Sequence, residues 1–264
     1  MEAPLLSDSG TEKKHGGGEE TSSVRSEVKK QLYLAGPLVA GHLLMNVVQV
    51  ISLMFLGRLG KLEFAGASVA TAFAAATGLS TLGGMATALA TLCGQAFGAG
   101  QYHQVGVHKQ RAMLVLAVLS VPVAAVWAYT GEILAWCGLD PEIAASAGGY
   151  VRWLIPSLFV FGQLQCHIQF LQAQNVVLPV MVGAGVAALA HPAVCWLLVF
   201  GLGLGSKGVA LGNAVANLVN LSILALYVRL SPSCKATWTG FSGEAFRGIP
   251  SFLKLAVPSA LMVW

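Results

Sequence analysis

The sequence predicts an all-α, polytopic helical bundle that spans a membrane, and three observations support this fold class. Of the 264 residues, 56% are hydrophobic and only 10% are charged, whereas soluble domains carry about 25% charged residues. Eleven of the 26 charged residues lie in residues 1–30, so the rest of the chain has too little charge to cover a globular surface. Six apolar stretches are long enough to cross a bilayer, for which about 20 residues suffice.

The elements follow from these stretches in chain order. Residues 1–30 are predicted to form a polar tail, because they lack the apolar core of a signal peptide. A six-helix membrane lobe is predicted over residues 31–229, with spans at 32–56, 64–92, 112–130, 148–171, 176–204 and 208–228. A connection is expected at 230–248, and 249–264 is expected to start a seventh span.

The second span differs from the others in its composition. Between Phe64 and Leu92, 21 of 29 residues are Ala, Gly, Ser or Thr. Because small residues let helix backbones approach closely in lipid, we expect this span to pack inside the bundle.

The orientation is predicted by the basic residues of the connections. Eleven Lys and Arg residues fall on the side of the N-terminal tail, and three (Arg58, Lys61 and Lys207) fall on the other, with Arg152 inside a span. The positive-inside rule therefore places the N-terminus and the 230–248 connection in the cytosol.

A short pattern recurs at the start of the first and seventh spans. The first begins Leu-x-Leu-Ala-x-Pro at 32–37, and the seventh repeats this pattern at 253–258. Parallel internal repeats are an architecture of transporters. The pattern therefore predicts a first lobe followed by the first turns of a missing C-terminal lobe.

Three sets of polar residues each have the spacing i, i+4, i+7, which places each set on one helix face. They are His42, Asn46 and Gln49; Gln165, Gln169 and Gln172; and Asn213, Asn217 and Asn220. Polar side chains in spans either bond neighbouring helices together or line an aqueous cavity. Because three such stripes occur in one lobe, we favour a cavity that binds a polar organic substrate.

Acidic residues are absent from the middle of every predicted span. Ion-coupled transporters commonly use an intramembrane carboxylate, but here the acidic residues lie in the tail, at span edges or in connections. His191 is therefore the candidate for a proton relay, with packing by hydrogen bonds as its more common role. His42 and His167 are weaker candidates.

Other classes of function find little support in the sequence. No cofactor or metal site is predicted. The five cysteines form no CxxC pair. The glycines of 203–208 have the spacing of a dinucleotide fingerprint, but no strand precedes them, so a turn is expected. The basic residues are too dispersed for nucleic-acid binding. An intramembrane serine protease is disfavoured, because residues 78–81 lack the final glycine of a GxSG motif.

Several motifs resemble the plant MATE (multidrug and toxic compound extrusion, DETOXIFICATION) transporters. They are residues 93–99 with Gln101 and Tyr102, residues 152–159, residues 170–175, the connection from 227 to 250, and residues 252–260. The resemblance covers nearly everything after residue 28.

The resemblance implies twelve spans in two six-helix lobes that alternate between outward- and inward-open states. It implies export of organic cations, xenobiotics or plant secondary metabolites by proton antiport, at the plasma membrane or the vacuolar membrane. Two positions depart from the family: Ala90 replaces an acidic residue, and Gln169 replaces an arginine. Ser52 stands where bacterial relatives have an aspartate, which plant members usually lack as well. The resemblance places the usual proton-coupling carboxylates in the missing lobe.

The leading hypothesis is therefore a secondary active exporter represented by its N-terminal half, and not an enzyme. Its expected partners are the bilayer, protons and a small organic substrate. Two alternatives remain: a half-size transporter acting as a homodimer, and a non-transporting truncated fragment. The 264-residue form alone is expected to show little coupled transport.

Overall fold

The computed structural model describes the backbone of residues 16–238, 240 and 242–263, with side chains at 28, 29 and from 35 onward. The chain divides into two compact units, residues 1–36 and 37–264. The described part of the first unit is helical. Residues 1–15 of the predicted polar tail lie outside the described residues.

Helices make up nearly all of the described chain. They are α1 (Gly16–Leu59), α2 (Lys61–Ala74), α3 (Ser80–Gly98), α4 (Tyr102–Ala128), α5 (Thr130–Trp136), α6 (Pro141–Ala173), α7 (Leu178–Trp196), α8 (Ser206–Leu230) and α9 (Ile249–Val263). A π-helical turn, Ala75–Leu79, joins α2 to α3, and a second, Leu197–Gly201, extends α7. The described residues include no strand, which confirms the all-α class.

Within the described part of the chain, six helical segments are long and apolar enough to cross a membrane. They are Ala35–Leu59, Lys61–Gly98, Tyr102–Ala128, Pro141–Ala173, Leu178–Gly201 and Ser206–Leu230. This confirms the six predicted spans, although several helices are longer than the apolar stretches. The fourth begins at Pro141, where Asp140 Oδ1 accepts hydrogen bonds from the backbone N–H groups of Glu142 (2.9 Å) and Ile143 (3.4 Å). A hydrogen-bonded cap, and not apolarity alone, therefore sets where this helix begins.

Small residues of the second span allow close helix contacts, as predicted. A Cβ added at Gly66 would collide with Ser146 of α6, and one at Gly78 would lie 2.6 Å from the Trp127 ring. The second span is nevertheless not the most buried one. In the most apolar window of each span, 56% of residues are buried in Pro141–Ala173 and 28% in Lys61–Gly98. The central helix is α6, which packs against α2, α3, α4, α5 and α8.

The glycines between α7 and α8 form the expected turn. Gly203 and Gly205 adopt φ values of 66° and 58°, a left-handed conformation that favours glycine. Gly205 precedes Ser206, the first residue of α8. The motif therefore connects two helices and has no phosphate-binding geometry.

The connection after α8 contains two short 3-10 turns, Pro232–Cys234 and Gly243–Phe246, and leads into α9. α9 packs on α3: Phe252 and Ala256 are fully buried, and a Cβ at Gly84 would lie 2.7 Å from Cα of Ala260. The start of the seventh predicted span thus contributes to the core.

Candidate functional site

A cavity of about 120 Å³ lies among the helices of the bundle, near the middle of α6 and α8. Its lining is mainly apolar, with the aromatic side chains of Trp127, Tyr150 and Phe161. Its polar lining consists of Gln49, Thr71, Tyr150, Ser157, Asn213, Asn217 and Asn220. Sites for drug-sized ligands measure about 300–1,000 Å³, so this cavity is large enough for only part of such a ligand.

A chain of buried polar groups links four helices beside the cavity. His191 Nε2 of α7 lies 2.9 Å from Ser52 Oγ of α1, which lies 3.1 Å from Asn213 Oδ1 of α8. Asn213 Nδ2 makes a long contact of 3.5 Å with the Tyr150 hydroxyl of α6. The Ser52 hydroxyl has a single proton. It can therefore donate either to Asn213 Oδ1 or to Val48 O, which lies at 3.0 Å, but not to both. When His191 Nε2 carries a proton, it donates to Ser52 and completes the chain.

The other two asparagines of α8 also face the cavity. Asn217 Nδ2 donates to Ser157 Oγ of α6 at 2.9 Å. Asn220 is only 2% exposed, and its Oδ1 has no hydrogen-bond partner within the described part of the chain. This oxygen packs against Gly183 of α7, where an added Cβ would collide with it, and a buried acceptor without a partner is costly.

The structure separates the three predicted stripes. Asn213, Asn217 and Asn220 line the cavity together, and Gln49 joins them from α1. His42 and Asn46 are exposed, and Asn46 Nδ2 donates to His42 O of its own helix at 2.9 Å. Gln165, Gln169 and Gln172 are half-buried on α6 and are not among the residues that line this cavity. His191 is buried and connects to the cavity wall through Ser52.

Sequence reasoning did not select Thr71, Trp127, Tyr150 and Ser157, although all four line the cavity. Tyr150 and Ser157 have the spacing i, i+7, so the periodicity that found the other stripes could have found this pair. Trp127 carries no such signal, because it reaches the cavity from the end of α4 through tertiary packing alone.

Trp127 is held by the π-helical turn between α2 and α3. Its side chain is fully buried, and its Nε1–H donates to Thr77 Oγ1 at 3.0 Å. Thr77 Oγ1 in turn donates to Phe73 O at 2.7 Å. Gly78, the next residue, leaves room for the indole ring. The turn therefore positions one aromatic wall of the cavity.

Replacing Thr77 by valine is expected to destabilise the protein by about 1–3 kcal/mol, because the buried indole N–H loses its acceptor. A thermal unfolding curve in detergent measures this effect. Trp127→Phe combined with Thr77→Val is the matched comparison, since it removes both the donor and the acceptor. If the double variant is as unstable as expected from the sum of the two single variants, the hydrogen bond has no stabilising role.

The cavity lining contains no carboxylate. The described acidic residues outside the N-terminal tail lie at helix ends or in connections: Glu63, Glu132, Asp140, Glu142 and Glu244. Glu132 Oε1 pairs with Arg152 Nη2 at 3.2 Å, between α5 and α6. Among the described residues, no group of three His, Cys, Asp or Glu could hold a metal ion. The wall is thus built from neutral amides, hydroxyls and aromatic rings.

Comparison with known proteins identifies the family. The MatE family model matches residues 37–197, more than half of the chain. The chain is 53% identical over 244 residues to Protein DETOXIFICATION 16 of Arabidopsis thaliana, covering 92% of this chain and 50% of that protein. It is 51% identical over 240 residues to Protein DETOXIFICATION 15 of the same plant, covering 91% of this chain and 50% of that protein.

A solved structure agrees with these sequence matches. The fold is similar to that of the eukaryotic MATE transporter AtDTX14, with a TM-score of 0.87 and 39% identity. This match covers 90% of the chain and 53% of AtDTX14. The chain spans about half the length of the curated relatives that it matches. It belongs to the MATE family.

Proposed function

We propose that this chain supplies one wall of the substrate site of a secondary active exporter. The observation that carries the proposal is the cavity of Asn213, Asn217 and Asn220 with Trp127 and Tyr150. Neutral amides can donate to and accept from a polar organic molecule, and aromatic faces attract organic cations. Organic cations, xenobiotics and plant secondary metabolites are the substrates that suit this wall.

Export proceeds by alternating access between two lobes. In this proposal residues 31–229 form the first lobe, 230–248 form the connection, and 249–264 begin the second lobe. The cavity volume of about 120 Å³ supports this division, because a second lobe would supply the remaining wall of a drug-sized site. His42, Asn46, Gln165, Gln169 and Gln172 then belong to the substrate path outside the present cavity.

Proton antiport is the proposed coupling, with His191 as the relay in this lobe. Imidazole is the side chain best suited to change its charge near neutral pH. The ring lies beside the cavity and bonds through Ser52 to Asn213. The main proton-binding carboxylates would come from the second lobe. The excess of basic residues supports a cytosolic N-terminus, and the proposed location is the plasma membrane or the vacuolar membrane.

The test uses vesicles that contain the chain together with the half of Protein DETOXIFICATION 16 that the chain does not match. We expect ethidium to accumulate under a pH gradient, and accumulation to stop when an ionophore collapses the gradient. Accumulation without a gradient would contradict antiport. If the 264-residue chain accumulates ethidium alone and has a dimeric mass in detergent, the homodimer is correct instead. Ethidium binding without accumulation in either preparation would identify a non-transporting fragment.

Replacing His191 by glutamine is expected to leave ethidium binding near the wild-type level and to remove most gradient-driven accumulation. Glutamine retains hydrogen bonding to Ser52 but does not titrate. His103→Gln is the control, because that ring pairs with Glu244 at 3.4 Å, away from the cavity. Equal transport by the two variants would exclude His191 from proton coupling.

A further inference from the structure

Lys109 of α4 is buried without a hydrogen-bond partner. Its side chain is 0% exposed, and no described residue accepts a hydrogen bond from Nζ. Nζ lies 4.4 Å from the ring centre of Phe170 and 4.3 Å from that of Trp238. Aromatic faces attract a cation but do not accept its N–H groups as an oxygen does. A buried ammonium that lacks a hydrogen-bond acceptor can therefore bind an anion.

The carboxylates among the described side chains do not supply this partner. Glu244 is the acidic residue of the connection that packs on this end of α4, and its Oε2 lies 3.4 Å from His103 Nε2. Glu244 is not among the residues that line the pocket beside Lys109. Because no described carboxylate pairs with Lys109, an anion from outside the described chain can serve as its partner.

A pocket of about 200 Å³ adjoins Lys109 between α4, α6, α8 and the connection. Its polar lining consists of Lys109, Arg229, His167 and Gln163, and the lining includes no acidic residue. Arg229 is exposed at the rim, so its guanidinium can meet an arriving anion. The pocket is electrostatically complementary to a phosphate group.

An apolar groove of about 530 Å³ continues from this pocket. The two share Met113 and Gln163, and the groove is further lined mainly by Leu114, Ala117, Ala245 and Phe246. A phosphate in the pocket would therefore lie at one end of a groove suited to an acyl chain. This pairing of a basic pocket with an apolar groove is the recognition chemistry of an anionic lipid.

We propose that this site binds one anionic phospholipid, with its phosphate near Lys109 and Arg229 and an acyl chain along Met113 and Phe246. Nothing in the transport proposal assigns a function to this site, and its test does not depend on transport.

Hydrogen bonds beside this site attach the connection between α8 and α9 to the helices. Gln110 of α4 donates to Gly240 O at 2.6 Å and accepts from the backbone N–H of Ser242 at 2.7 Å. Thr237 donates at 2.8 Å to Oε1 of Gln174, the residue that follows α6. Because Phe170 and Trp238 enclose Lys109 Nζ, a phosphate in the pocket would lie against the Trp238 indole, and the indole has to shift for the ammonium to donate to it. Bound lipid is therefore expected to protect the connection from proteolysis.

Native mass spectrometry of the full 264-residue chain in detergent tests the proposal. Phosphatidylglycerol is expected to remain bound at one molecule per chain, and phosphatidylcholine to bind about tenfold more weakly. Lys109→Met and Arg229→Gln are each expected to weaken phosphatidylglycerol binding by about tenfold. Arg229→Gln keeps the test valid if Lys109→Met does not fold, because Arg229 is exposed. The matched control is Lys207→Gln, an exposed lysine at the opposite end of α8.

Three results would overturn the proposal. The first is equal retention of phosphatidylglycerol and phosphatidylcholine. The second is equal loss of phosphatidylglycerol in Lys207→Gln and Arg229→Gln. The third is binding of inorganic phosphate that depends on Arg229 and displaces the lipid at equal concentration, since the ligand would then be a soluble anion.

Discussion

Replacing Asn213 by leucine is expected to weaken ethidium binding by about tenfold to a hundredfold, the effect of losing one or two buried hydrogen bonds. Leucine keeps the branched shape of asparagine, although it is larger, and it cannot accept from Ser52 or donate to a ligand. Ser52 keeps His191 and Val48 O as alternative partners, so folding should change little. Fluorescence titration of the purified chain measures the affinity, and a thermal unfolding curve measures stability.

Asn46→Leu is the control variant, because Asn46 and Asn213 are both predicted to line the substrate path. Asn46 is exposed and bonded to its own helix, and it does not line the cavity. We expect this variant to retain most of the affinity of the wild-type chain. Equal losses in Asn46→Leu and Asn213→Leu would mean that the ligand does not bind at the described cavity.

Replacing Gly148 by alanine is expected to lower the free energy of unfolding by about 1–3 kcal/mol, as is typical of an overpacked core. A Cβ at Gly148 of α6 would lie 2.8 Å from Cα and 2.9 Å from N of Gly131 in α5. These are backbone atoms, so α5 has to move. For a chain of this size, the unfolding temperature should fall by about 2–10 °C.

Gly149→Ala is the matched control, one residue further along the same helix. A Cβ at Gly149 meets no atom within 4 Å, so alanine should stabilise the helix by about 0.5–1 kcal/mol. A thiol-reactive dye can follow unfolding of both variants, because Cys93, Cys166 and Cys195 are buried in the folded chain. Equal unfolding temperatures for the two variants would contradict the close packing of α5 on α6.

The α8 asparagines show what sequence periodicity can predict. Their spacing placed Asn213, Asn217 and Asn220 on one face, and all three line the cavity. The same spacing in α6 did not lead to the cavity, because Gln165, Gln169 and Gln172 lie beyond the part of that helix, from Tyr150 to Leu164, that lines it. Periodicity assigns residues to a common face but does not say what that face contacts.

Lys109 illustrates the same limit for charge. In the sequence it is one basic residue of a predicted connection, and it counted toward the positive side of the membrane. In the structure it belongs to α4, and its side chain is fully buried against Phe170 of α6 and Trp238 of the connection. Its surroundings come from segments more than 60 residues away in the chain, so local sequence could not predict them.

The sequence by itself determined the all-α class and the six spans, because apolar length and the satisfaction of backbone hydrogen bonds in lipid leave few alternatives. Its motifs also pointed to the family. Only the tertiary structure decided that α6 is the central helix, that Ser52 joins His191 to Asn213, and that Lys109 lies beside a basic pocket. These features depend on side chains from distant segments meeting at one place, and such meetings are set by packing between helices rather than by the pattern within any one of them.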